Sequence, residues 1–499
     1  MKRFFTRTVK VTSGSLHHHQ SGTDDDFSGN PDSTNIFYGD AQESFFNFSR
    51  GGDDTFTAAP NSINIFFGDA GVNLQGHSSG GSDTFIAAAT SNNNTFYGDA
   101  GNDLQGFSHG GDDHFVVTPA SSSGSTDKIY GDAAGDLSGF SWGGNDTFQG
   151  SAAALNLTFY GDAGKNMDGH AQGGNDVVTD SSNALQNIVY GDAGLDMSGH
   201  AVGGDDSLTA GGSRATSFFW GDAGGSMSGH AVGGNDTFTT SAMNALNIFY
   251  GDAGGDMSNF ARGGNDTFKE MAFLARDTFY GDAAGNMVGH AIGGDDSFFG
   301  GSQSVSTFYG DAGKDMGGNA DGGDDIFVGG PLSTNMAYGD ALSMSGNAHG
   351  GDDKLVGSDG PPAPAGTYRS VLVGDAKTMS DNSRGGNDKL VSGSGNDDMW
   401  GDAQTMTGNA RGGNDTFVFN FNNGHDAIED FGQGVRSQPG ANWGIDHIDV
   451  SALGIHEFDQ LSISTFDPVS HQSLISFSSG NDVVVHSQIA LSAHDFLFA

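Results

Sequence analysis

The chain has 499 residues, with 62 acidic against 19 basic side chains, a formal charge of −43, 84 Gly, 9 Pro and no Cys. A charge of that size and sign argues against nucleic acid and anionic lipid as partners and favours cations, and the absence of cysteine excludes disulfide stabilisation. Apolar residues make up only 35%, which leans towards disorder, yet 38 Phe argue for a buried core, and glycine without a three-residue period is not collagen.

The first stretch, residues 1–35, begins MKRFFTRTVKVTSGSLHHHQSG. It is basic but lacks the apolar run of a secretory signal peptide. The expectation is a polar, disordered leader in which the three consecutive histidines at 17–19 have no dedicated role. Nowhere does the chain approach the ~18–20 consecutive apolar residues of a membrane span.

Residues 36–416 repeat one phrase, as in YGDAGGDMSNFARGGNDTF at 250–268. The Asp of the GDA element recurs at Asp40, Asp69, Asp99, Asp132, Asp162, Asp192, Asp222, Asp252, Asp282, Asp311, Asp340, Asp375 and Asp402, at spacings of 27 to 35 residues. A second element, GGND, GGDD or once GGSD, follows each and places Asp54, Asp83, Asp113, Asp146, Asp176, Asp206, Asp236, Asp266, Asp296, Asp325, Asp353, Asp388 and Asp415. Around these turns, NIFYG and DTFT are short β-favouring runs bounded by Gly and Asp, the pattern of strands between turns. The MSGHA segment between them is a candidate third strand. One unit cannot bury its own Phe rings, whereas stacked units bury them as a column. The predicted fold is therefore all-β: a parallel β-solenoid of thirteen coils of about thirty residues.

Stacking sets each Asp about 4.8 Å from its counterpart in the next coil. Like charges at that distance repel. The remedy that the residues suggest is a hard cation between coils, held by carboxylates and by the carbonyls that glycine turns bring close, which is the ligand set of Ca²⁺. The GDA aspartates have a second reading, as turn-formers hydrogen-bonded to backbone N–H groups. The second acid of GDAGGD is replaced by Asn73, Asn166, Ser226 or Asn286 in some copies, so it is not an essential ligand.

Other signals carry less. GHSSG, GFSHG and GFSWG match a nucleophile elbow, but they occupy one register of the repeat and later copies place Ala there. His77, His170, His200, His230 and His290 share a position filled elsewhere by Phe or Asn, which reads as a half-exposed packing site rather than a metal ladder. No catalytic residue is assigned, and an enzyme is not expected. The Thr column of DTF (Thr55, Thr84, Thr147, Thr237, Thr267, Thr416) would suit ice binding, but His114, Val177, Ile326, Lys354 and Lys389 interrupt it.

After Asp415 the period stops, and residues 417–499 show alternating apolar runs that predict a β-structured end cap.

GGNDTF resembles the end of the glycine-rich nonapeptide of hemolysin-type (RTX) calcium-binding proteins, in which the sixth-position Asp and turn carbonyls hold calcium in a β-roll. The resemblance implies calcium ligation by the GGND aspartates. The array departs from that family in its thirty-residue period and in the residues filling the first two glycine positions. The tail pieces NDTFVF, AIEDFGQG, DHIDVSALGI and DFLFA resemble the C-terminal region of serralysin-type proteins. That implies export by type I secretion machinery from a Gram-negative bacterium, without the protease domain. The resulting expectation is a secreted calcium-binding protein with a structural role, meeting a cell-surface or matrix partner. The secretion module of an extracellular enzyme or toxin is the alternative, and ice binding a further one.

Overall fold

A computed structural model describes residues 6–88, 93–118, 125–150, 155–181, 186–212, 215–360, 368–433, 444–478 and 480–499. The chain is nearly all β, and its parallel sheets form a solenoid of about thirteen turns with coils of about thirty residues, as the repeat predicts. It divides into two compact units, Met1–Gly255 and Asp256–Ala499.

In the first unit each coil contributes a strand to two long sides. On one side Ser33–Ala41, Ile63–Phe67 and Asn93–Tyr97 stack in parallel, with Phe37, Phe66 and Phe96 in register. On the other, Thr55–Thr57, Thr84–Ala88 and His114–Thr118 align Phe56, Phe85 and Phe115. Alternate residues of these strands point inward, as period two requires, and the inward rings stack: Phe37 on Phe66 at 5.0 Å between centroids, and Phe56 on Phe85 at 4.9 Å. The MSGHA segment forms a third, shorter side. It is a strand in Leu74–Gly76, Leu104–Gly106 and Leu137–Gly139, and only single bridges link Met167, Met197 and Met227. The stretch ends on a left-handed glycine (φ +77° at Gly76, +82° at Gly106), which releases the chain towards the next turn.

A polar ladder that the sequence reading missed runs through this core. Asn35 donates to Asn64, Asn64 to Asn94 and Asn94 to Asp127, at 2.9, 2.8 and 2.7 Å. Stacking makes each side chain the partner of its own copy, so one buried amide satisfies the next.

Strands occupy much of the stretch expected to be a disordered leader. Thr6–Ser13 pairs with Ser33–Ala41, Leu16–His17 with Phe45–Phe46, and Asp26–Ser28 with Thr55–Thr57, which adds a coil ahead of the first GDA element. The cause is visible in GTDDDF at 22–27, a copy of the GGDDTF turn that lacks its GDA partner. Phe27 stacks on Phe56 at 5.0 Å there.

The second unit repeats the scheme, with strands such as Val305–Tyr309, Ile326–Val328 and Ala341–Met344 on its three sides. It ends in a cap. Gln472–Ser478 pairs antiparallel with Ser462–Ile463 and with Asn481–Ser487, and the last of these lies parallel to His425–Phe431. Phe496–Leu497 then pairs with Ile448–Asp449, so the terminal DFLFA covers the last coil edge.

Candidate functional site

Both Asp columns are buried. From Asp69 to Asp222, and from Asp296 to Asp415, every member is at most 2% exposed. The two columns hold their oxygens differently.

In the GGND column, one carboxylate oxygen reaches back to the coil before. Asp83 Oδ1 accepts from the Asp54 N–H at 2.6 Å, Asp113 from Asp83 at 2.6 Å and Asp176 from Asp146 at 2.7 Å. The second unit repeats this, Asp325 accepting from Asp296 and Asp353 from Asp325, both at 2.7 Å. The other oxygen is buried without a donor in Asp54, Asp83, Asp113, Asp146, Asp176 and Asp206, and again in Asp296, Asp325, Asp353, Asp388 and Asp415. It packs on the glycine that precedes the GDA aspartate. A Cβ on Gly68 would lie 1.7 Å from Asp83 Oδ2 and 2.1 Å from the Gly98 carbonyl oxygen. Only glycine leaves room there for a carboxylate and a carbonyl side by side.

In the GDA column, the carboxylate closes its own coil. Asp69 accepts from the Gly81 N–H at 2.9 Å, Asp162 from Gly174 at 2.9 Å and Asp340 from Gly351 at 2.8 Å. This is the turn-forming geometry of the second reading given to these residues, beside cation ligation. It leaves Oδ1 of Asp69 and Oδ2 of Asp162 and Asp340 without a donor, whereas Asp99, Asp132 and Asp192 share the glycine N–H between both oxygens. Carboxylates of adjacent copies lie close together: the Cβ position of Gly80 is 1.5 Å from Asp99 Oδ1 and 2.6 Å from Asp69 Oδ2. Asp162 is in hydrogen-bond contact with the carboxyl groups of Asp132 and Asp192. Two ionised carboxylates only accept, so such a contact needs a shared proton or a cation between them.

The electrostatics follow from burial. Desolvation, then the charge of Asp54, raises Asp83 well above the ordinary carboxylate range. Desolvation, then Asp83 and Asp99, does the same to Asp69, so the two columns act on each other as well as within themselves. Asp54, at the less covered end, is pushed up to about 8 by burial first and Asp40 second. Asp162 and Asp222 rise to about 6, burial being offset in part by contacts with neighbouring carboxyls. Ion pairs among the described residues include Asp321–His349, Asp398–Arg369, Asp482–His425 and Glu429–His486, all outside the two columns.

Sequence reasoning missed the members that finish the columns. Asp446 accepts from the Asp415 N–H at 3.0 Å and from Gly432 N–H at 2.6 Å, and Asp430 accepts from Gly401 and Asp402 at 2.8 and 3.1 Å. Both cap residues therefore have donors on both oxygens. The signal was the GID of the tail and the EDFGQG run, which mimic the two repeat turns. At the other end Asp25 continues the GGND column, its N–H donating to Asp54 at 2.6 Å.

The remaining candidates have plain surroundings. Ser78, Ser108 and Ser141 of the three elbow-like pentapeptides are fully buried, and Ser78 donates to the Gln75 carbonyl at 3.1 Å. The second acid of GDAGGD forms a ladder on the surface side, Asp136 N–H donating to Asp103 and Asn166 N–H to Asp136 at 3.0 and 3.1 Å.

As a cation site the donor set fits in kind: orphaned carboxylate oxygens and glycine carbonyls, with no nitrogen or sulfur ligand, suit a hard ion such as Ca²⁺. Among the described residues no three His, Asp or Glu side chains converge as a ready-made cage, so backbone carbonyls would have to complete the shell. Comparison with family models, curated proteins and solved structures finds no match to this chain.

Proposed function

We propose that the buried aspartate columns bind calcium between successive coils, and that the chain is a secreted structural or surface-interaction protein that folds on binding it. One observation carries this reading. Both buried columns are Asp in all thirteen copies, whereas the exposed position just before the GGND aspartate is Asn in six of the thirteen. That exposed row makes the same kind of bond, Asn175 N–H donating to Asn145 and Asp205 N–H to Asn175, each at 2.9 Å. Asn therefore suffices where only a hydrogen bond to the next coil is wanted. The chain keeps the carboxylate where its charge costs most, which calls for a counter-charge.

The GGND aspartates, Asp83 to Asp206 and Asp296 to Asp415, would contribute their donor-free oxygens, with the GDA aspartates Asp69 to Asp222 and Asp311 to Asp402 beside them. Bound calcium would supply positive charge and a cross-link between coils. In a calcium-poor cytosol the uncompensated columns would hold the array unfolded. Millimolar calcium outside would turn binding free energy into folding free energy. The likeness of the tail to type I export regions supports secretion of such a chain unfolded.

Far-UV circular dichroism of the purified chain tests this. At pH 8 in chelator the array should be largely unfolded, and calcium, not magnesium, should produce a cooperative transition to β-structure. A chain already fully β-structured in chelator at that pH would defeat the calcium reading.

A further inference from the structure

The edge where the third side turns into the GGND element carries two outward positions, separated by one buried small residue. In the first coils the leading position is Phe48, His77, Phe107 and Phe140, and the trailing one is Arg50, Ser79, His109 and Trp142; Ser49, Ser78, Ser108 and Ser141 lie buried between them. The leading rings stack face to face, Phe48 on His77 at 4.7 Å, His77 on Phe107 at 4.9 Å and Phe107 on Phe140 at 5.1 Å. In the trailing row His109 stacks on Trp142 at 4.4 Å. Between the rows runs an open groove of about 430 Å³.

Three features set this groove apart. Phe48, Phe107 and Phe140 are 49, 43 and 44% exposed, a row of large apolar rings left in water. Because each ring face is covered by the next ring, only ring edges meet the groove, and an aromatic edge carries the positive end of the quadrupole. The polar groups beside them are the Arg50 guanidinium, the His19, His77 and His109 imidazoles and the Ser79 hydroxyl, which can donate, and no lining residue is acidic although the chain holds 62 acids. Further along the same unit the trailing position becomes Gln172, Val202 and Val232, so within this unit the basic trailing residues belong to the first coils.

We propose that this groove binds a linear acidic polysaccharide. Guanidinium and imidazole donors would take its carboxylates, and the Phe ring edges its hydroxyl and carboxylate oxygens. A polymer of one repeated unit suits walls that repeat once per coil. The site uses none of the column aspartates, so it stands independently of calcium ligation.

The test is isothermal titration calorimetry of the full chain, in calcium, with tetragalacturonate, which is too short to gel with calcium. Maltotetraose supplies the same ring type without charge, and tetraglutamate the charge without sugar rings. Tetragalacturonate should bind at least ten-fold more tightly than either. Combining Arg50→Ala with His109→Ala should weaken it at least ten-fold, while Gln172→Ala with Val202→Ala, on the same edge outside the groove, should leave it unchanged. Circular dichroism checks that each variant keeps its β-structure, and Phe107→Ala gives a second reading of the groove should the double variant misfold. Absence of binding at millimolar ligand, equal binding of maltotetraose or tetraglutamate, or full binding by the folded groove variants would overturn the proposal.

Discussion

Two adjacent rows of the solenoid differ by one residue in sequence and by burial in space. The exposed row, Asp112, Asn145, Asn175, Asp205 and Asn235, links coils by side-chain oxygens accepting backbone N–H groups, Asn145 N–H to Asp112 at 2.8 Å and Asn235 N–H to Asp205 at 2.8 Å. The buried row beside it, Asp113 to Asp206, links coils with the same kind of bond at 2.7 Å, but in the reverse direction along the stack. In water, Asp and Asn are interchangeable for this purpose, and alternating them dilutes like-charge repulsion. In the interior, repulsion and desolvation are both larger, yet no copy is diluted. The difference separates two jobs that a carboxylate can do in a stacked fold, accepting a hydrogen bond and presenting a charge.

The largest way to break this comparison is pH. Without metal, the buried carboxyls have folded-state pKa values raised above the ordinary range, to about 6 for Asp162 and Asp222 and to about 8 for Asp54. A raised folded pKa gives stability that is complete below the unfolded value, near 4, and is lost as pH rises through the folded one. In chelator the array should therefore be most stable near pH 4 and lose β-structure between about pH 4 and pH 8. In millimolar calcium the slope should reverse, because a ligand carboxylate must be deprotonated. Chemical denaturation at several pH values, with and without calcium, should give two curves that cross. Parallel curves would mean that the buried charge has no cation to meet.

Next in size is Gly68→Ala. Its Cβ would fall 1.7 Å from Asp83 Oδ2 and 2.1 Å from a backbone carbonyl, neither of which can yield without moving a coil. A loss of about 3 kcal/mol is expected in calcium, read from the denaturant midpoint. Gly14, with nothing within 4 Å of its Cβ position, is the matched control and should tolerate Ala.

The coil, its period and its inward Phe columns were legible because stacking turns a repeated sequence directly into a repeated contact: Phe66 meets Phe96 since each stands two residues before the Gly of a GDA turn. The positions of the two acid columns could be read in the same way. Their donor patterns could not, because whether an Asp reaches to its own coil, as Asp69 does to Gly81, or to the one before, as Asp83 does to Asp54, depends on side-chain direction within the turn. The extra N-terminal coil was hidden because residues 6–28 keep the hydrophobic alternation and one acid turn but lack the GDA landmark. The groove was hidden for another reason. Phe48, Arg50, His77 and His109 look like scatter in a variable position until the rows are set side by side.

A smaller effect, opposite in sign between two conditions, is expected for Asp176→Asn. The amide keeps the acceptor for the Asp146 N–H, now 2.7 Å from Asp176 Oδ1. Its nitrogen would replace the donor-free Oδ2, beside the Gly191 carbonyl oxygen, to which it can donate. In chelator at pH 8 the variant should be more stable than the parent, by about 1 kcal/mol, because a buried charge is gone and a hydrogen bond is gained. In calcium it should be less stable by about 2 kcal/mol, and it should bind fewer ions by equilibrium dialysis. Stabilisation in both conditions would mean that the carboxylate serves no cation.

The smallest effect belongs to the exposed row and tests whether the distinction is local. Asp205→Asn keeps the oxygen that accepts the Asn235 N–H at 2.8 Å, and the coil before it already carries Asn175 at that position. A change within about 0.5 kcal/mol is expected in calcium, with no loss of bound ions. In chelator the sign should be slightly favourable, since the Asp205 charge is one of the influences that raise Asp206 and Asp222. If Asp205→Asn instead cost as much calcium affinity as Asp176→Asn, the exposed carboxylates would belong to the ion's surroundings. Burial would then no longer be what divides a charge from a hydrogen-bond acceptor in these turns.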